Sequence, residues 1–306
     1  GGLIYRRALQ GNGQLTVRGS AMLERDDRDF GGALERNRRH TTLAELSWSD
    51  RRGKVDWVVG GALQDEALTA RDVKGVSYDY LTPAGFAQLG LSPSQAFGAS
   101  LALRCDGHDT YGTFCSPRAA VLLRPDPALS LRASAGLGFA APSPLTEETD
   151  AIGLRSVLFP RLRAERARTA SLDAHWQRGA LEVSGTISRS RVTRPVRLDS
   201  IPGDPQGRLE FVNAGGPTDV WAGELFAVYE RAPVVLTAFY GYLHSTEEDP
   251  AGGRRESALI PRHSLGVDIA WEAPQAGTWI ALEAFYTGRQ ALDDDPARSR
   301  SVPYLS

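Results

Sequence analysis

Two stretches, residues 129–136 and 169–176, constrain this chain most, because apolar and polar side chains alternate strictly along them. Leu129, Leu131, Ala133 and Ala135 fall on one side of an extended segment, with Ser130, Arg132, Ser134 and Gly136 on the other. Ala170, Leu172, Ala174 and Trp176 likewise oppose Thr169, Ser171, Asp173 and His175. A period of two means a strand with one greasy and one wet face. The pattern returns at Val55, Trp57 and Val59, at Leu181, Val183 and Ile187, at Leu265, Val267, Ile269 and Trp271, and at Ile280, Leu282 and Tyr286. The problem posed by the sequence is where so many such strands put the greasy face.

Taken in order, strands are predicted near 2–9, 14–24, 40–49, 54–66, 84–91, 96–105, 119–123, 129–135, 169–176, 181–188, 208–229, 233–243, 260–272 and 278–287. Residues 301–306 look like one more strand beginning. The segment 24–39 reads as a charged loop, and further long loops are expected at 66–78, after Phe139 and around Ile201. The connections alternate between a tight turn and a long polar loop, so all long loops fall at one end. A soluble sandwich or propeller has no reason to sort its loops this way. An outer-membrane barrel does, with short periplasmic turns and long external loops. The expected fold class is therefore all-β: a transmembrane antiparallel up-and-down β-barrel, present in part.

Side chains at the two faces and at the turns support that expectation. Trp48, Trp57, Trp176, Tyr229, Trp271 and Trp279 all stand within a few residues of a tight turn, where an aromatic girdle would lie. The wet face carries Glu45, Asp56, Arg132, Asp173, His175, Glu182, Glu224, Asp268 and Glu283. Buried in a dry core, each of these charges would cost several kcal/mol unless paired. Lining a hydrated lumen costs little, so the greasy face is assigned to lipid. No stretch approaches 18 consecutive apolar residues, which excludes a spanning helix and leaves a barrel open. A net charge of −2 without any Lys/Arg tract gives no reason to expect nucleic acid.

Cys105 and Cys115 are the only cysteines among the 306 residues and bracket a polar segment that reads as a loop. If the flanking strands pair as a hairpin, both sulfurs sit at one end, close enough to bridge, which would imply an oxidising compartment. Two unrelated thiols are the alternative, and with one His they make a poor zinc site. His108, Asp109 and Ser116 lie within nine residues, but one loop is a poor scaffold for a hydrolytic triad. Asp293-Asp294-Asp295 lacks the spaced ligands and glycine of a calcium loop and reads as a solvated acidic tip. No catalytic, metal-binding or cofactor-binding motif is present, so neither an enzyme nor a cofactor is expected.

Several segments resemble the barrel of TonB-dependent outer-membrane receptors. Gly85-Phe86-Ala87-Gln88-Leu89, Leu103-Arg104-Cys105-Asp106-Gly107-His108 and Phe114-Cys115-Ser116-Pro117-Arg118 are similar to that family's strand ending in Arg-Tyr-Asp followed by a Ser-Pro-Arg strand start. Gly138-Phe139-Ala140-Ala141-Pro142 resembles its Gly-Phe-Arg-Ala-Pro segment, and Leu162-Arg163-Ala164-Glu165-Arg166 its Leu-Lys-Pro-Glu-Arg. Phe211-Val212-Asn213-Ala214-Gly215, Gly223-Glu224 and Ile260-Pro261-Arg262-His263 follow in the family's order. The likeness covers roughly residues 80–305. Ala140 and Cys105 depart from the family's Arg and Tyr, so no role of those side chains carries over.

The resemblance implies a barrel of about 22 strands around an N-terminal plug, with this chain a fragment holding about fourteen of them. The plug, its TonB-contacting segment and the last strands would lie outside residues 1–306. It further implies active uptake of a scarce nutrient across the outer membrane: a ferric siderophore first, cobalamin or an oligosaccharide behind it. TonB would act through the plug, and outer-membrane lipid and lipopolysaccharide would surround the barrel. A passive porin-like channel is the alternative, and a barrel-borne hydrolase a more distant one. The ligand-contact candidates are His108 and Tyr111 in the segment between the cysteines, and Arg155, Arg161 and Arg163 in the long loop after Phe139, where cations would meet an anionic ligand.

Overall fold

In a computed structural model, which describes residues 1–273, 277–293 and 297–306, the alternating segments form one antiparallel meander. It opens with β1 (Gly2–Ala8), β2 (Gln14–Phe30), β3 (Ala33–Arg52), β4 (Val55–Ala70) and β5 (Tyr78–Leu91), then β6 (Phe97–His108), β7 (Gly112–Asp126) and β8 (Leu129–Ala140). A loop with α1 (Glu147–Ile152), a 3-10 turn (Leu154–Ser156) and β9 (Val157–Leu158) precedes β10 (Glu165–Arg178) and β11 (Leu181–Thr193). A second loop carries β12 (Val196–Ser200) and β13 (Leu209–Asn213). The meander then resumes through β14 (Thr218–Arg231), β15 (Val234–Glu248), β16 (Arg254–Glu256), β17 (His263–Ala273), β18 (Thr278–Thr287) and β19 (Tyr304–Leu305). Sixteen strands make one sheet, with β1 and β19 at its two edges, not paired with each other among the described residues. β9, β12 and β13 form a separate three-stranded sheet. No described helix is long and apolar enough to cross a membrane.

Register fixes the two faces. Leu131 stands opposite Ala174, Ala133 opposite Leu172, and Leu172 opposite Ile187, all on one side. Leu46, Leu101, Leu172, Ile187, Leu225, Leu265 and Leu282 are exposed on that side, an apolar surface far larger than a water-facing sheet tolerates. On the other face Arg132 opposes Asp173, Asp173 opposes Thr186, and Thr186 opposes Glu224. The Thr186 hydroxyl donates to Asp173 Oδ1 at 2.9 Å. Charges therefore sit where neighbouring strands satisfy them rather than in a dry core.

Short turns close one end of the sheet, among them 53–54, 127–128, 179–180 and 232–233. Trp48, Trp57, Trp176, Tyr229 and Trp271 stand near these turns on the apolar side, and Trp48 meets Trp57 edge to face at 4.6 Å. Trp279 departs from the expected girdle. It stands opposite Glu272, one residue out of phase with Ile280, and so shares the polar face.

At the other end four expectations are corrected. Residues 24–39 are not a loop: β2 and β3 run on to a two-residue Gly31-Gly32 turn whose φ angles of 63° and 92° suit a tight hairpin. Opposite charges face each other along it, Glu24 across from Arg39 and Arg28 across from Glu35. The segment between the cysteines is likewise strand as far as His108 and from Gly112, leaving only 109–111 as a turn, and β5 begins at Tyr78 rather than 84. The long strand expected over 208–229 is two, β13 and β14, in different sheets.

Close packing against glycine pins the inner face. A Cβ on Gly60 would collide with the Phe86 ring and come within 2.6 Å of the Leu46 carbonyl oxygen. Gly60→Ala therefore forces the ring or the β3 backbone to move, at a cost of about 1–3 kcal/mol. The expected outcome is a lower midpoint of denaturant unfolding in detergent, while Gly85→Ala, with open space around its Cβ, leaves the midpoint unchanged.

Candidate functional site

The extended tops of β2–β6 make a polar inner wall, and the 141–164 loop folds across it. Glu24, Asp26 and Arg28 on β2 and Glu35, Asn37 and Arg39 on β3 alternate inward by the same period of two that governs the membrane-level residues. With Leu68, Leu145, Thr146, Glu147, Thr149, Asp150 and Leu154 they line a pocket of about 360 Å³. Five carboxylates and two guanidiniums face it. Asn37 Oδ1 and the neighbouring Arg39 Nε and Thr41 Oγ1 are buried without a hydrogen-bond partner among the described residues.

The roof of this pocket is tied down at named points. Glu35, 2% exposed, accepts from the Leu154 N–H at 2.9 Å and the Arg155 N–H at 2.8 Å. Arg28 Nη1 reaches Asp150 Oδ1 at 2.8 Å, and Arg155 Nη2 donates to the Leu34 carbonyl at 3.0 Å. A capping box between Thr146 and Thr149 starts α1. Beside the roof, Arg36 grips Asp72 through Nη2 at 2.7 Å and Nε at 3.0 Å, and these hydrogen bonds hold the Asp72 carboxyl down at about 2.

A second pocket of about 270 Å³ continues along β4–β6, lined by Glu66, Tyr78, Tyr80, Asp106, His108 and Phe139 among others. Tyr78 stacks on Tyr80 at 4.4 Å, and His108 packs 4.8 Å from both Tyr80 and Tyr111. The Tyr80 and Tyr111 hydroxyls are 3.1 Å apart, and Tyr111 also donates to the Pro142 carbonyl at 3.4 Å. Burial pushes the Tyr111 phenol up from its ordinary value. Tyr78 donates to Glu66 Oε1 at 2.7 Å, and Arg39 shares the same oxygen at 2.9 Å. This wall offers phenols, imidazole and carboxylate to whatever occupies the pocket.

Above both pockets the loops share a small core of their own. Phe211 and Leu154 are fully buried, with Val76, Val157, Leu162 and Ala70 around them, and Phe159 meets Phe211 edge to face at 5.4 Å. β13 pairs β9 in parallel through Leu209–Val157 and Glu210–Leu158, so loops 141–164 and 194–217 form one body.

The structure gathers some candidates and scatters others. His108 lines the second pocket and Tyr111 packs against it and Tyr80, in the segment that the Cys105–Cys115 disulfide closes. Phe139 stacks on Phe114 at 4.3 Å, and Arg166 lies over the Phe114 ring at 5.2 Å, so Phe139, Pro142 and Arg166 form one junction beside them. Glu165 binds the Val196 N–H, tying β10 to the second loop. Gly138 lies two residues before the end of β8, while Ser116, Pro117 and Arg118 lie well inside β7 rather than at its start. Arg155 is occupied at the roof. Arg161 and Arg163 are exposed, with Arg163 held through its backbone by Asn213 at 2.8 and 2.9 Å. Ser116 stands opposite Arg104, far down the ladder from the His108–Gly112 pair, so no Ser–His contact forms. Asp293 pairs with Arg255 at 2.7 Å; Asp294 and Asp295 lie outside the described residues. The six β2–β3 residues of the first pocket went unnoticed in the sequence, although Gly31-Gly32 between two possible strands is a hairpin signal.

An antiparallel up-and-down sheet with an apolar outer face, a charged inner face, short turns at one end and extended hairpins and long loops at the other defines the wall of an outer-membrane type β-barrel. The chain belongs to the TonB-dependent receptor barrel family: residues 4–304 match the family described as TonB dependent receptor-like, beta-barrel. No curated protein matches the sequence. Among solved structures it is similar to the FrpB iron transporter of Neisseria meningitidis, with 13% identity and a TM-score of 0.79 over 99% of this chain and 55% of that one. It is also similar to the siderophore receptor PirA of Acinetobacter baumannii (12%, TM-score 0.67, 99% and 54%). The ferric enterobactin receptor PfeA of Pseudomonas aeruginosa is comparable (13%, 0.66, 96% and 53%). The chain thus spans just over half the length of these receptors, and identities this low carry the fold alone.

Proposed function

We propose that residues 1–306 form part of the barrel of a longer outer-membrane receptor that takes up a scarce nutrient with energy supplied through TonB. A ferric siderophore is the first substrate class, with cobalamin and oligosaccharides behind it. The observation that carries this reading is the pair of polar, loop-roofed pockets on the inner wall at the end away from the short turns, with buried unpartnered polar atoms in the first. The solved structures to which the fold is similar include an iron transporter and a siderophore receptor, and the family match supports TonB as the partner. His108, which lines the second pocket, and Tyr111, in ring contact with it, are the ligand contacts we favour, with Arg155, Arg161 and Arg163 of the 141–164 loop as further candidates.

The test is uptake of radiolabelled ferric siderophores by cells that lack the gene or carry it. One siderophore should enter only when the full-length receptor, TonB and the proton gradient are all present. Tyr111→Ala should weaken binding of that siderophore by about tenfold or more, the value of one lost aromatic contact with its hydrogen bond. Uptake that persists without TonB and the gradient would sink the active reading and leave a passive channel.

A further inference from the structure

The charge of the first pocket is at odds with an anionic ligand. Arg155, Arg161 and Arg163, the cations expected to meet one, line neither pocket. Five carboxylates and two guanidiniums line the first, and both guanidiniums are committed to acids. Arg28 lies between Asp26 and Asp150, and Arg39 Nη2 goes to Glu66 of the second pocket at 2.9 Å. Glu35 receives only the neutral N–H groups of Leu154 and Arg155. Glu24 and Glu147 make no ion pair or hydrogen bond among the described residues. The pocket therefore keeps an excess of negative charge, under a roof that limits the water able to screen it.

In the middle of the same wall stands an acceptor without a donor. Asn37 is 8% exposed and opposes Asp26, with Glu35 and Arg39 two residues to either side on its face of β3. Its Oδ1 is buried and unpartnered among the described residues. A buried carbonyl left unpaired costs about 1–3 kcal/mol, which a ligand N–H would recover. Arg39 Nε beside it is a buried donor without an acceptor. A group matched to this wall carries positive charge and several N–H donors, with an acceptor oxygen close by.

The donor set favours an organic cation over a metal ion. Among the described residues no three His, Cys, Asp or Glu side chains converge closely enough to hold a metal. The volume of about 360 Å³ falls within the roughly 300–1,000 Å³ of small-molecule sites. The second pocket continues the theme, adding Glu66 and the rings of Tyr78, Tyr80 and Phe139. Aromatic faces attract a cation and pack against its apolar stem.

We propose that the first pocket takes a primary ammonium group, held by Glu24, Glu147 and the Asn37 carbonyl oxygen, so that the ligand is an organic cation at that end. A protonated amine brings three donors to these three acceptors, and hydrogen bonds between ionised partners are the strong kind. An amide or hydroxamate oxygen next to the amine would serve Arg39 Nε. An anionic group would instead face two unpaired carboxylates and leave Asn37 Oδ1 without a donor. The proposal rests on the reading of this pocket as the ligand site of an uptake receptor, and adds the charge of what it takes.

The test uses the full-length receptor purified in detergent and two ferric trihydroxamates that differ at one end. Ferrioxamine B ends in a free primary amine, and its N-acetylated derivative does not. Titration calorimetry should show at least tenfold tighter binding of the free amine. That advantage should vanish in E24Q/E147Q, which keeps the size of both side chains, and in N37L, which removes the acceptor at similar volume. Equal binding of the two compounds, no binding of the free amine, or an advantage that survives E24Q/E147Q overturns the proposal. Heat-modifiable migration on gels reports separately whether each variant has formed its barrel. Uptake by cells distinguishes the two levels of the argument. TonB-dependent entry of ferric enterobactin without any preference for the amine removes the ammonium site and leaves the receptor reading standing. If no ferric siderophore enters in a TonB-dependent way, the receptor reading falls and takes the proposal with it.

Discussion

Glu35→Ala will free the roof of the first pocket while leaving the barrel wall intact. The carboxylate of Glu35 is buried and accepts two backbone N–H groups, those of Leu154 and Arg155, from a segment more than a hundred residues away. Hydrogen bonds to a charged acceptor contribute about 1.5–3 kcal/mol each. Losing both costs the docked loop on the order of 3–5 kcal/mol, less whatever water recovers for the two donors. The approach is too tight for a substitute contact. Gly153, at φ 84°, brings the loop so close that a Cβ there would lie 3.0 Å from both Glu35 Oε1 and the Phe30 ring. Native-state hydrogen exchange should show the Leu154 and Arg155 amides exchanging about a hundredfold faster or more. Amides of β10 and β11 should not change. Glu35→Gln, which keeps the shape and one acceptor oxygen, should fall between. Unaltered exchange at Leu154 in Glu35→Ala would mean that the core around Phe211, rather than this carboxylate, fixes the roof.

How far the sequence announces this architecture depends on where a strand lies. Along β8, β10 and β17 every second residue meets an apolar surroundings, so Leu131, Leu172 and Ile269 alternate visibly with polar neighbours, and both faces are legible. Once β2, β3 and β6 rise past the apolar band, both faces are wet and the alternation loses its contrast. Residues 24–39 then look like a charged loop although their pairing is unbroken. Only the Gly31-Gly32 turn marks them as a hairpin, and that signal carries the whole first pocket. The polar inner wall is thus hidden for the same physical reason that makes it useful for binding. The loop body was illegible for a different reason: β9 is two residues long and pairs with β13 some fifty residues on, a contact that no local pattern encodes. Trp279 shows a third limit, since nearness to a turn gives the level of a side chain and only phase gives its face.

Phe211→Ala should be the most damaging single change in the loops. Phe211 is 2% exposed, packs among Leu154, Val157, Leu162 and Val76, and meets Phe159 edge to face. Truncating a buried Phe to Ala costs about 3–5 kcal/mol, the transfer of the ring plus the cavity it leaves. The small loop core has few other buried side chains to share that loss, so the 141–164 and 194–217 loops should open together. The main-sheet ladders do not depend on Phe211, because β13 belongs to the separate sheet. Heat-modifiable migration of the receptor should therefore persist while limited proteolysis cuts both loops far faster than in the unsubstituted protein. Phe211→Leu, which keeps most of the apolar volume, should show a smaller change. Ligand binding separates two roles for the loop body. Leu145, Thr146 and Leu154 roof the first pocket, so an opened loop body should weaken binding of whatever ligand the full-length protein takes, along with its protease resistance. If binding survives while both loops are cut, the inner wall of β2–β6 holds the ligand alone and the roof serves only to shield it.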